Sequence, residues 1–374
     1  MKVVFAPDSF KGTVTAADAA RALADGWHSI RPDDHLTIRP MADGGEGTLA
    51  AVAAAHPVTS LLRVGGCTGP DGRTVDGEYA LLPDGTAVVE LATASGLPLM
   101  GPRLAPLTAT TRGTGEIIAA ALDHGATRLL LGLGGSASTD GGTGLLHVLG
   151  LRLFDVAGAP LPDGGGALAR AHRIECGGLR PAPPGGVQLL TDVTNPLLGP
   201  DGAAAVYGPQ KGAGPEETAR LEAGLTRLSE LLGGAPERAG AGAAGGTAYG
   251  LAATWGAAIT PGAAAVADLL RLDEAIASAD LVVTGEGRFV PPACAERPSA
   301  RSSPAPPARV SPRRWWQASP PTRPRSPSPP SQARPTPPVR RPPTGSGRQA
   351  PVWPARRGSM LPKTWGRRAG PQSD

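Results

Sequence analysis

Short apolar runs alternate with amphipathic segments along the first 290 residues. Residues 2–6 form a brief run of Val and Phe that is typical of a buried strand, and residues 15–30 carry apolar side chains at helical spacing. The same order of strand and helix returns at residues 36–38 and 48–55. Such repeated βα units are the pattern of a parallel sheet with crossover helices.

The pattern changes between residues 58 and 94, where the apolar runs become shorter. Pro83, Asp84 and Gly85 separate two of these runs, which predicts an antiparallel hairpin. The strands predicted from here onward are 61–64, 77–82, 86–91, 128–133, 187–191 and 281–283, and the helices are 115–124, 143–149, 216–232 and 268–277. We expect an α/β fold in which the hairpin begins a second lobe.

Beyond residue 290 the apolar periodicity stops. Residues 291–374 hold 22 of the 42 prolines, 16 basic residues and only 2 acidic ones, so the net charge of +4 hides a net charge of −10 in residues 1–290. No packed core can offset the entropy of ordering such a segment, which predicts a disordered Pro/Arg-rich tail over 291–374. A frameshift in GC-rich coding DNA gives the same composition, and the abrupt junction after Phe289 favours it.

The composition also limits the partners and the compartment. Cys67, Cys176 and Cys294 are far apart and form no CxxC, so neither a disulfide framework nor a structural zinc site is expected. The first apolar stretch is too short for a signal peptide, and no run of about 18 apolar residues follows. We expect a cytoplasmic protein without a membrane partner. The basic tail raises nucleic-acid binding as an alternative, but it contains no folded or aromatic-interleaved basic motif, so no nucleic-acid partner is expected.

Polar loops flanked by glycine follow the predicted strands. They read APDSFKG at 6–12, ADGGEGT at 42–48, GGSASTDGG at 134–142, TDVTNPLLG at 191–199, GPQKG at 208–212 and TGEGR at 284–288. Glycine lets backbone approach a ligand closely, and nearby Asp, Glu and Lys can bind metal and phosphate. Their position at strand ends predicts a site outside the carboxyl edge of a sheet. There is no GxxxxGK[ST] sequence, and the GxGxxG match at 240–245 follows a helix, which argues against dinucleotide binding.

Several stretches are long enough to carry a family resemblance. MKVVFAPDSFKGTVTA, MADGGEGT, GTGEIIAAAL, LGLGGSASTDGGTG, DVTNPLLGPDGAAAVYGPQKGA, GAGAAGGTAYGL and ADLVVTGEGRF follow one another over about residues 1–289 and resemble the bacterial glycerate kinase family. The resemblance implies an enzyme that phosphorylates glycerate with ATP and Mg²⁺, at the 2-hydroxyl. It also implies a flavodoxin-like parallel-sheet lobe at 1–62 and 265–290, an inserted mixed α/β lobe at 63–264, and a site in the cleft between them.

The family pattern is lost after Phe289. Val290 stands where the family has an Asp, and neither its His-Gly-Lys step nor its closing strand–helix–strand is recognisable. The alternative is therefore a non-catalytic remnant of this kinase that lacks part of the first lobe.

Phosphorylating a hydroxyl requires in-line positioning, a metal ion, cationic donors and a carboxylate that takes the hydroxyl proton. The expected catalytic residues are Asp192, as proton acceptor or metal-side carboxylate, and Lys11 and Lys211, on anionic groups. The expected metal ligands are Asp8, Asp43, Glu46 and Glu286. The expected substrate- and nucleotide-binding residues are Ser9, Gly44, Gly45, Gly134, Gly135, Ser136, Asn195, Gln210, Gly285 and Arg288.

The same residue types are also common in purely structural roles. Asp8 and Ser9 can cap the first helix, and Asp43 can begin an Asp-Gly turn. Asp192 can form an Asx turn before Pro196, and Lys211 can be a solvated loop lysine. The six histidines lack any motif context and are expected to be structural or exposed.

Overall fold

The computed structural model describes residues 1–10, 13–56 and 59–286 and the short segment Trp315–Gln317, all within a compact unit over Met1–Pro321. The strands are β1 (Lys2–Phe5), β2 (His35–Ile38), β3 (Ser60–Thr68), β4 (Thr74–Leu81), β5 (Thr86–Glu90), β6 (Arg128–Gly132), β7 (Arg152–Phe154), β8 (Arg173–Glu175), β9 (Val187–Leu190), β10 (Ala258–Thr260), β11 (Leu281–Thr284) and β12 (Trp315–Gln317). The α-helices are α1 (Ala16–Ile30), α2 (Thr48–Ala55), α3 (Ala92–Ser95), α4 (Arg112–Asp123), α5 (Thr143–Val148), α6 (Ala203–Tyr207), α7 (Pro215–Leu232), α8 (Ala243–Trp255), α9 (Gly262–Leu269) and α10 (Leu272–Ser278). Short 3-10 helices cover Leu97–Met100, Gly165–Arg170 and Pro209–Lys211.

Two main sheets organise these elements. A four-stranded sheet, in the order β12-β11-β1-β2, is parallel throughout. A six-stranded sheet, in the order β10-β9-β6-β5-β4-β3, has four parallel strands, and the antiparallel pairs β5–β4 and β4–β3 complete it. The expected α/β class is confirmed, with a parallel sheet and a second mixed sheet. The predicted hairpin is also confirmed, as the β4–β5 pair.

Helices cover both faces of the six-stranded sheet, and successive residues of its strands pack against opposite sets of helices. One face contributes Val89, Leu131 and Leu189 to a core that also contains residues of α4, α5 and α8. The opposite face packs Val88 and Leu130 against residues of α2 and α9. A sheet covered on both faces needs nearly continuous apolar strands, which explains why β5 and β6 are almost wholly buried.

The four-stranded sheet is covered in the same way. Val3 and Phe5 of β1 pack with residues of α1, and the alternate residue Val4 packs with residues of α10. Trp27 of α1 meets Phe5 edge-on, with the two ring centroids 6.1 Å apart. Offset and edge-on aromatic pairs of this kind add to the stabilisation that burial provides.

The segment after β2 connects the two sheets. Strand β2 pairs with β1 in the four-stranded sheet, whereas the helix that follows it, α2, buries Leu49 and Val52 against the six-stranded sheet. The loop over residues 42–48, here called the acidic loop, therefore runs from one sheet to the other. The domain boundaries expected near residues 62 and 265 stay predictions.

Local backbone conformation explains where the predicted elements differ from the observed ones. The helix predicted over 268–277 is instead the end of α9 and all of α10, because Arg271 adopts φ 52° and interrupts the helix between them. Helix α8 was not predicted, since its Ala- and Gly-rich sequence has no amphipathic pattern. Trp315–Gln317 pair with β11, and the disorder expected of the tail stays a prediction. The remainder of residues 291–374, and with it the frameshift hypothesis, lies outside the described residues.

In the part of the chain that the structure describes, no helix has the length and apolar character needed to cross a membrane.

Replacing a central core side chain should test this packing. Leu131, in β6, is fully buried, so Leu131→Ala should lower the free energy of unfolding by about 2–5 kcal/mol through lost burial and a residual cavity. Leu61, on the edge strand β3, is 48% exposed, and Leu61→Ala should cost less than about 1 kcal/mol. Urea unfolding of both variants measures the difference, and equal losses would contradict the assignment of Leu131 to the core.

Candidate functional site

The loops that follow β1, β2 and β6 meet at a pocket of about 460 Å³. Its lining residues are Asp8, Ser9, Thr13, Val14, Thr15, Ala16, Met41, Asp43, Gly45, Glu46, Gly47, Gly134 and Gly135. Seven of the predicted site residues are among them, and they come from three separate loops. The volume is within the usual range for small-molecule sites, which is about 300–1,000 Å³.

The first wall of the pocket is the junction between β1 and α1. The backbone N–H of Ser9 donates to Asp8 Oδ1 over 2.6 Å. Thr15 caps α1 by accepting a hydrogen bond from the N–H of Asp18, and both Thr15 and Ala16 line the pocket. Helix α1 therefore begins at the pocket, where its dipole favours an anion. The predicted catalytic residue Lys11 lies outside the described residues.

The second wall is the acidic loop, which turns sharply at two glycines. Gly44 and Gly47 adopt φ values of 82° and 95°, a region that non-glycine residues rarely occupy. A Cβ atom on Gly44 would lie 2.7 Å from Cβ of Leu190, so Gly44 packs on β9 and does not line the pocket. Gly45 N donates to Asp43 Oδ1 over 3.1 Å, which fixes the carboxylate at the start of the loop.

The third wall is the loop over residues 134–142, here called the glycine–serine loop. A Cβ atom on Gly134 would lie 2.5 Å from Cα of Gly45, so the two loops touch through backbone alone. Gly135 is exposed and has φ 75°. Glycine meets each of these requirements, the close contact at Gly134 and the positive φ at Gly135.

The described lining of the pocket carries three carboxylates, of Asp8, Asp43 and Glu46, and no lysine or arginine. No three Asp, Glu, His or Cys residues within 1–10, 13–56 and 59–286 are arranged as a ready metal site. Mg²⁺ usually binds proteins through one or two carboxylates and keeps waters and phosphate oxygens as its other ligands. The lining therefore fits a Mg²⁺ ion that arrives with a phosphate-bearing ligand.

The predicted catalytic residue Lys211 lies behind the glycine–serine loop. It is only 3% exposed, and its Nζ donates to Ser136 Oγ over 2.9 Å and to the carbonyl oxygen of Ser138 over 2.5 Å. Burial lowers the pKa of Lys211 to about 8, although the charge of Asp140 acts in the opposite direction. Both Lys211 and the predicted binding residue Ser136 thus brace the loop, and neither lines the pocket. Their expected ligand contacts stay predictions.

Asp140 supports the same loop from within. It is fully buried, and its carboxylate accepts hydrogen bonds from the Thr111 hydroxyl and from the backbone N–H groups of Thr111, Gly142 and Gly144. Burial raises the pKa of this carboxyl, and these hydrogen bonds oppose the shift. Asp140 and Lys211 are thus two buried ionisable groups that support the glycine–serine loop, and the charge of Asp140 acts on Lys211.

Asp192 lies beside the acidic loop at the end of β9. It is exposed, and its Oδ1 accepts a hydrogen bond from Gly262 N, the first residue of α9, over 2.8 Å. A side chain on Gly262 would clash with the backbone oxygen of Asp43. Gly262 therefore lies between Asp192 and the pocket-lining residue Asp43. Its role as proton acceptor stays a prediction.

Asn195 is already occupied by other parts of its own loop. Its Nδ2 donates to the carbonyl oxygen of Asp201 over 2.8 Å, and its Oδ1 accepts from the Tyr207 hydroxyl over 2.6 Å. The amide therefore stabilises the turn after β9, and the substrate contact expected of it stays a prediction.

The remaining predicted residues are divided between the pocket rim and more distant positions. Gly285 accepts a hydrogen bond from Asp8 N over 2.8 Å, which places Glu286, an exposed residue, next to the first wall. Gln210 is exposed in the 3-10 helix that contains Lys211, away from the pocket lining. Arg288 lies outside the described residues.

Two features of the site were missed by the sequence analysis. One is the contribution of Thr13, Val14, Thr15 and Ala16 to the lining, which residue type alone does not reveal. The other is Glu90, a carboxylate at the end of the fully buried strand β5. The sequence could have indicated Glu90, because it is a charged residue at the end of an otherwise apolar strand, and buried acids are rare unless they are hydrogen-bonded or paired.

Comparison with known proteins identifies a family. The model of the glycerate kinase family matches residues 3–290. Glycerate 2-kinase of Escherichia coli (strain K12) is 42% identical over 297 residues, which cover 77% of this chain and 77% of that protein. Glycerate kinase of Bacillus subtilis (strain 168) is also 42% identical over 297 residues, with the same coverage of both chains.

A solved structure shares the fold. The crystal structure of a protein from Salmonella typhimurium LT2, described as a candidate glycerate kinase 2, superposes with a TM-score of 0.72 at 42% identity, covering 77% of this chain and 79% of that one. Family match, sequence identity and fold agree over the segment that contains every loop of the pocket. The chain belongs to the glycerate kinase family.

Proposed function

We propose that this protein transfers the terminal phosphoryl group of ATP to glycerate, at the 2-hydroxyl, with Mg²⁺ as the metal ion. The reaction takes place in the cytoplasm, where ATP is available, and it uses a small-molecule substrate. Membership of the family supports the kinase class and the acceptor, and relatives named glycerate kinase and glycerate 2-kinase support the substrate and the position.

The observation that carries the proposal is the meeting of three strand-end loops at one pocket. Glycines and a helix start supply backbone N–H groups that can bind anionic oxygens, while Asp8, Asp43 and Glu46 supply carboxylates. An acidic pocket repels a polyphosphate unless a divalent cation neutralises the charge. The combination therefore favours a ligand that brings phosphate and metal together.

One or two of the carboxylates of Asp8, Asp43 and Glu46 would hold Mg²⁺, with phosphate oxygens and water as its other ligands. A bound Mg²⁺ ion supplies charge neutralisation and orientation of the phosphate oxygens during transfer. The protein itself contributes positioning: the N-terminus of α1 and the backbone of Gly134 and Gly135 would bind and orient negative charge in the pocket.

Asp192 is the proposed proton acceptor for the glycerate hydroxyl. It is a solvent-exposed carboxylate held at the end of β9 by the N–H of Gly262, next to the acidic loop. As the hydroxyl oxygen of glycerate bonds to the γ-phosphorus of ATP, its proton passes to the free oxygen of Asp192. The bond between the γ-phosphorus and the β,γ-bridging oxygen breaks, and ADP leaves with that oxygen. Proton acceptors placed in this way accelerate reactions by about 10²–10⁴-fold.

Removing the charge of Asp192 tests this role. With ATP, Mg²⁺ and D-glycerate the wild-type protein should form 2-phosphoglycerate, identified by ³¹P NMR, and Asp192→Asn should lower kcat by about 10²–10⁴-fold. Asparagine retains an oxygen that can accept from Gly262 N, so the folding of the variant should be unchanged. Asp268→Asn, which changes an exposed carboxylate of α9, is the matched control and should retain activity.

The outcomes separate the alternatives. Turnover like that of the wild type in Asp192→Asn would remove Asp192 from its role. A wild-type protein that is stabilised by ATP and Mg²⁺ but forms no product would instead favour the non-catalytic remnant. Formation of 3-phosphoglycerate would contradict only the position of transfer.

The pH dependence of stability tests whether Lys211 is buried behind the glycine–serine loop, independently of the Asp192 experiment. Its pKa is about 8 in the folded protein and 10.5 in the unfolded chain, so the unfolded chain binds more protons between these values. The free energy of unfolding should therefore rise between about pH 8 and pH 10.5, by about 3 kcal/mol in all.

Lys211→Met should lack this rise and should also lower kcat/KM, because Ser136 and Ser138 lose the donor that braces the glycine–serine loop. Urea unfolding between pH 7 and pH 9.5 measures the slope. Lys2→Met changes an exposed lysine and should keep the slope of the wild type. An identical pH dependence in Lys211→Met and the wild type would show that the Lys211 ammonium is not the buried group responsible.

A further inference from the structure

A buried carboxylate links the six-stranded sheet to the acidic loop. Glu90 ends strand β5 on the face that packs against α2 and α9, two residues after Val88, and it is 6% exposed. Its Oε1 accepts a hydrogen bond from the backbone N–H of Leu49 over 2.5 Å, and the carboxylate also accepts from the N–H of Gly47. Gly47 is the N-cap residue of α2, and Leu49 lies in its first turn.

Helix α2 has no capping side chain of its own. Its N-cap residue is Gly47, and the hydroxyl of the next residue, Thr48, donates to the carbonyl oxygen of Gly45. The first N–H groups of a helix need acceptors from elsewhere, and a carboxylate there also interacts favourably with the helix dipole. Glu90 meets both needs from a distant part of the chain.

The position of this cap determines the position of the pocket carboxylates. Glu46 directly precedes Gly47, and Asp43 is held to Gly45 within the same loop. One end of the loop is therefore fixed by Glu90, and its middle is fixed by the contact of Gly45 with Gly134. Both fixed points belong to the six-stranded sheet, because Gly134 follows β6.

We propose that Glu90 is a positioning residue that holds the acidic loop, and with it Asp43 and Glu46, in the geometry that binds the metal–phosphate end of the nucleotide. The choice of ligand rests on the proposed function, whereas the anchoring of the loop does not. Asp8 and Ser9 on the first wall follow β1 of the four-stranded sheet, so Glu90 positions the acidic loop and not that wall.

The charges around Glu90 agree with a role that depends on the two N–H donors. Burial raises the pKa of Glu90 to about 7, and the carboxylates of Glu78 on β4 and Glu46 on the acidic loop act in the same direction. Helix α2 contains no charged residue, and no ion pair of Glu90 is present within the described part of the chain. The hydrogen bonds from the N–H groups of Gly47 and Leu49 are therefore the interactions that favour the ionised form of Glu90.

The test compares Glu90→Leu and Glu90→Gln with Glu78→Gln, which removes a neighbouring carboxylate that makes no bond to the loop. Glu90→Leu should raise the KM for ATP·Mg²⁺ at least tenfold while the KM for glycerate changes less than threefold. Hydrogen exchange of the Gly47 and Leu49 amides should become at least tenfold faster in the absence of ligand. Glu90→Gln keeps one acceptor oxygen, so its KM for ATP·Mg²⁺ and its amide exchange rates should lie between those of the wild type and those of Glu90→Leu. Glu78→Gln should match the wild type in both measurements.

Unchanged amide exchange, or a loss of kcat with the KM for ATP·Mg²⁺ unchanged, would overturn the proposal. If Glu90→Leu does not fold, Glu90→Gln decides, since a partial shift of exchange and KM supports the role and no shift refutes it. Faster exchange in a protein that does not phosphorylate glycerate would refute the proposed function and leave the anchoring in place.

Discussion

The pocket depends on one backbone contact, in which Gly45 of the acidic loop lies against Gly134 of the glycine–serine loop. A side chain on Gly134 would occupy the space of the other loop, so this contact requires glycine at position 134. Because one loop follows β2 of the four-stranded sheet and the other follows β6 of the six-stranded sheet, the contact joins the carboxyl edges of both sheets. The pocket is the space that remains beside it.

Buried charges hold these loops in place. Lys211 and Asp140 lie behind the glycine–serine loop, and Glu90 lies behind the acidic loop. Burying a charge is costly unless it is bonded, and each of these groups is hydrogen-bonded to the loop that it supports or to residues next to it. The charges that directly face the pocket, on Asp8, Asp43 and Glu46, belong to the loops themselves. The site thus has carboxylates that face the pocket and charged groups that lie buried behind its loops.

Sequence reasoning succeeded where the signal is local. The strands β1, β5 and β6 were visible as short apolar runs, because burial on two faces restricts residue choice strongly. The loops after β1, β2 and β6 were visible as polar segments that contain glycine. It failed at α8, where Ala and Gly hide any periodicity, and at Arg271, where a non-glycine residue adopts a positive φ. Lysine chemistry alone could not tell whether Lys211 faces a ligand or braces a loop.

The sequence by itself determined the α/β class, the family and the loops that form the pocket, since periodicity and glycine placement are written residue by residue. Only the tertiary structure decided which side chains reach the pocket and which support it from behind. That division depends on contacts between residues distant in the chain, such as Lys211 with Ser136 and Glu90 with Leu49. No local pattern encodes such a contact, because its energy exists only after both segments have been brought together by packing elsewhere.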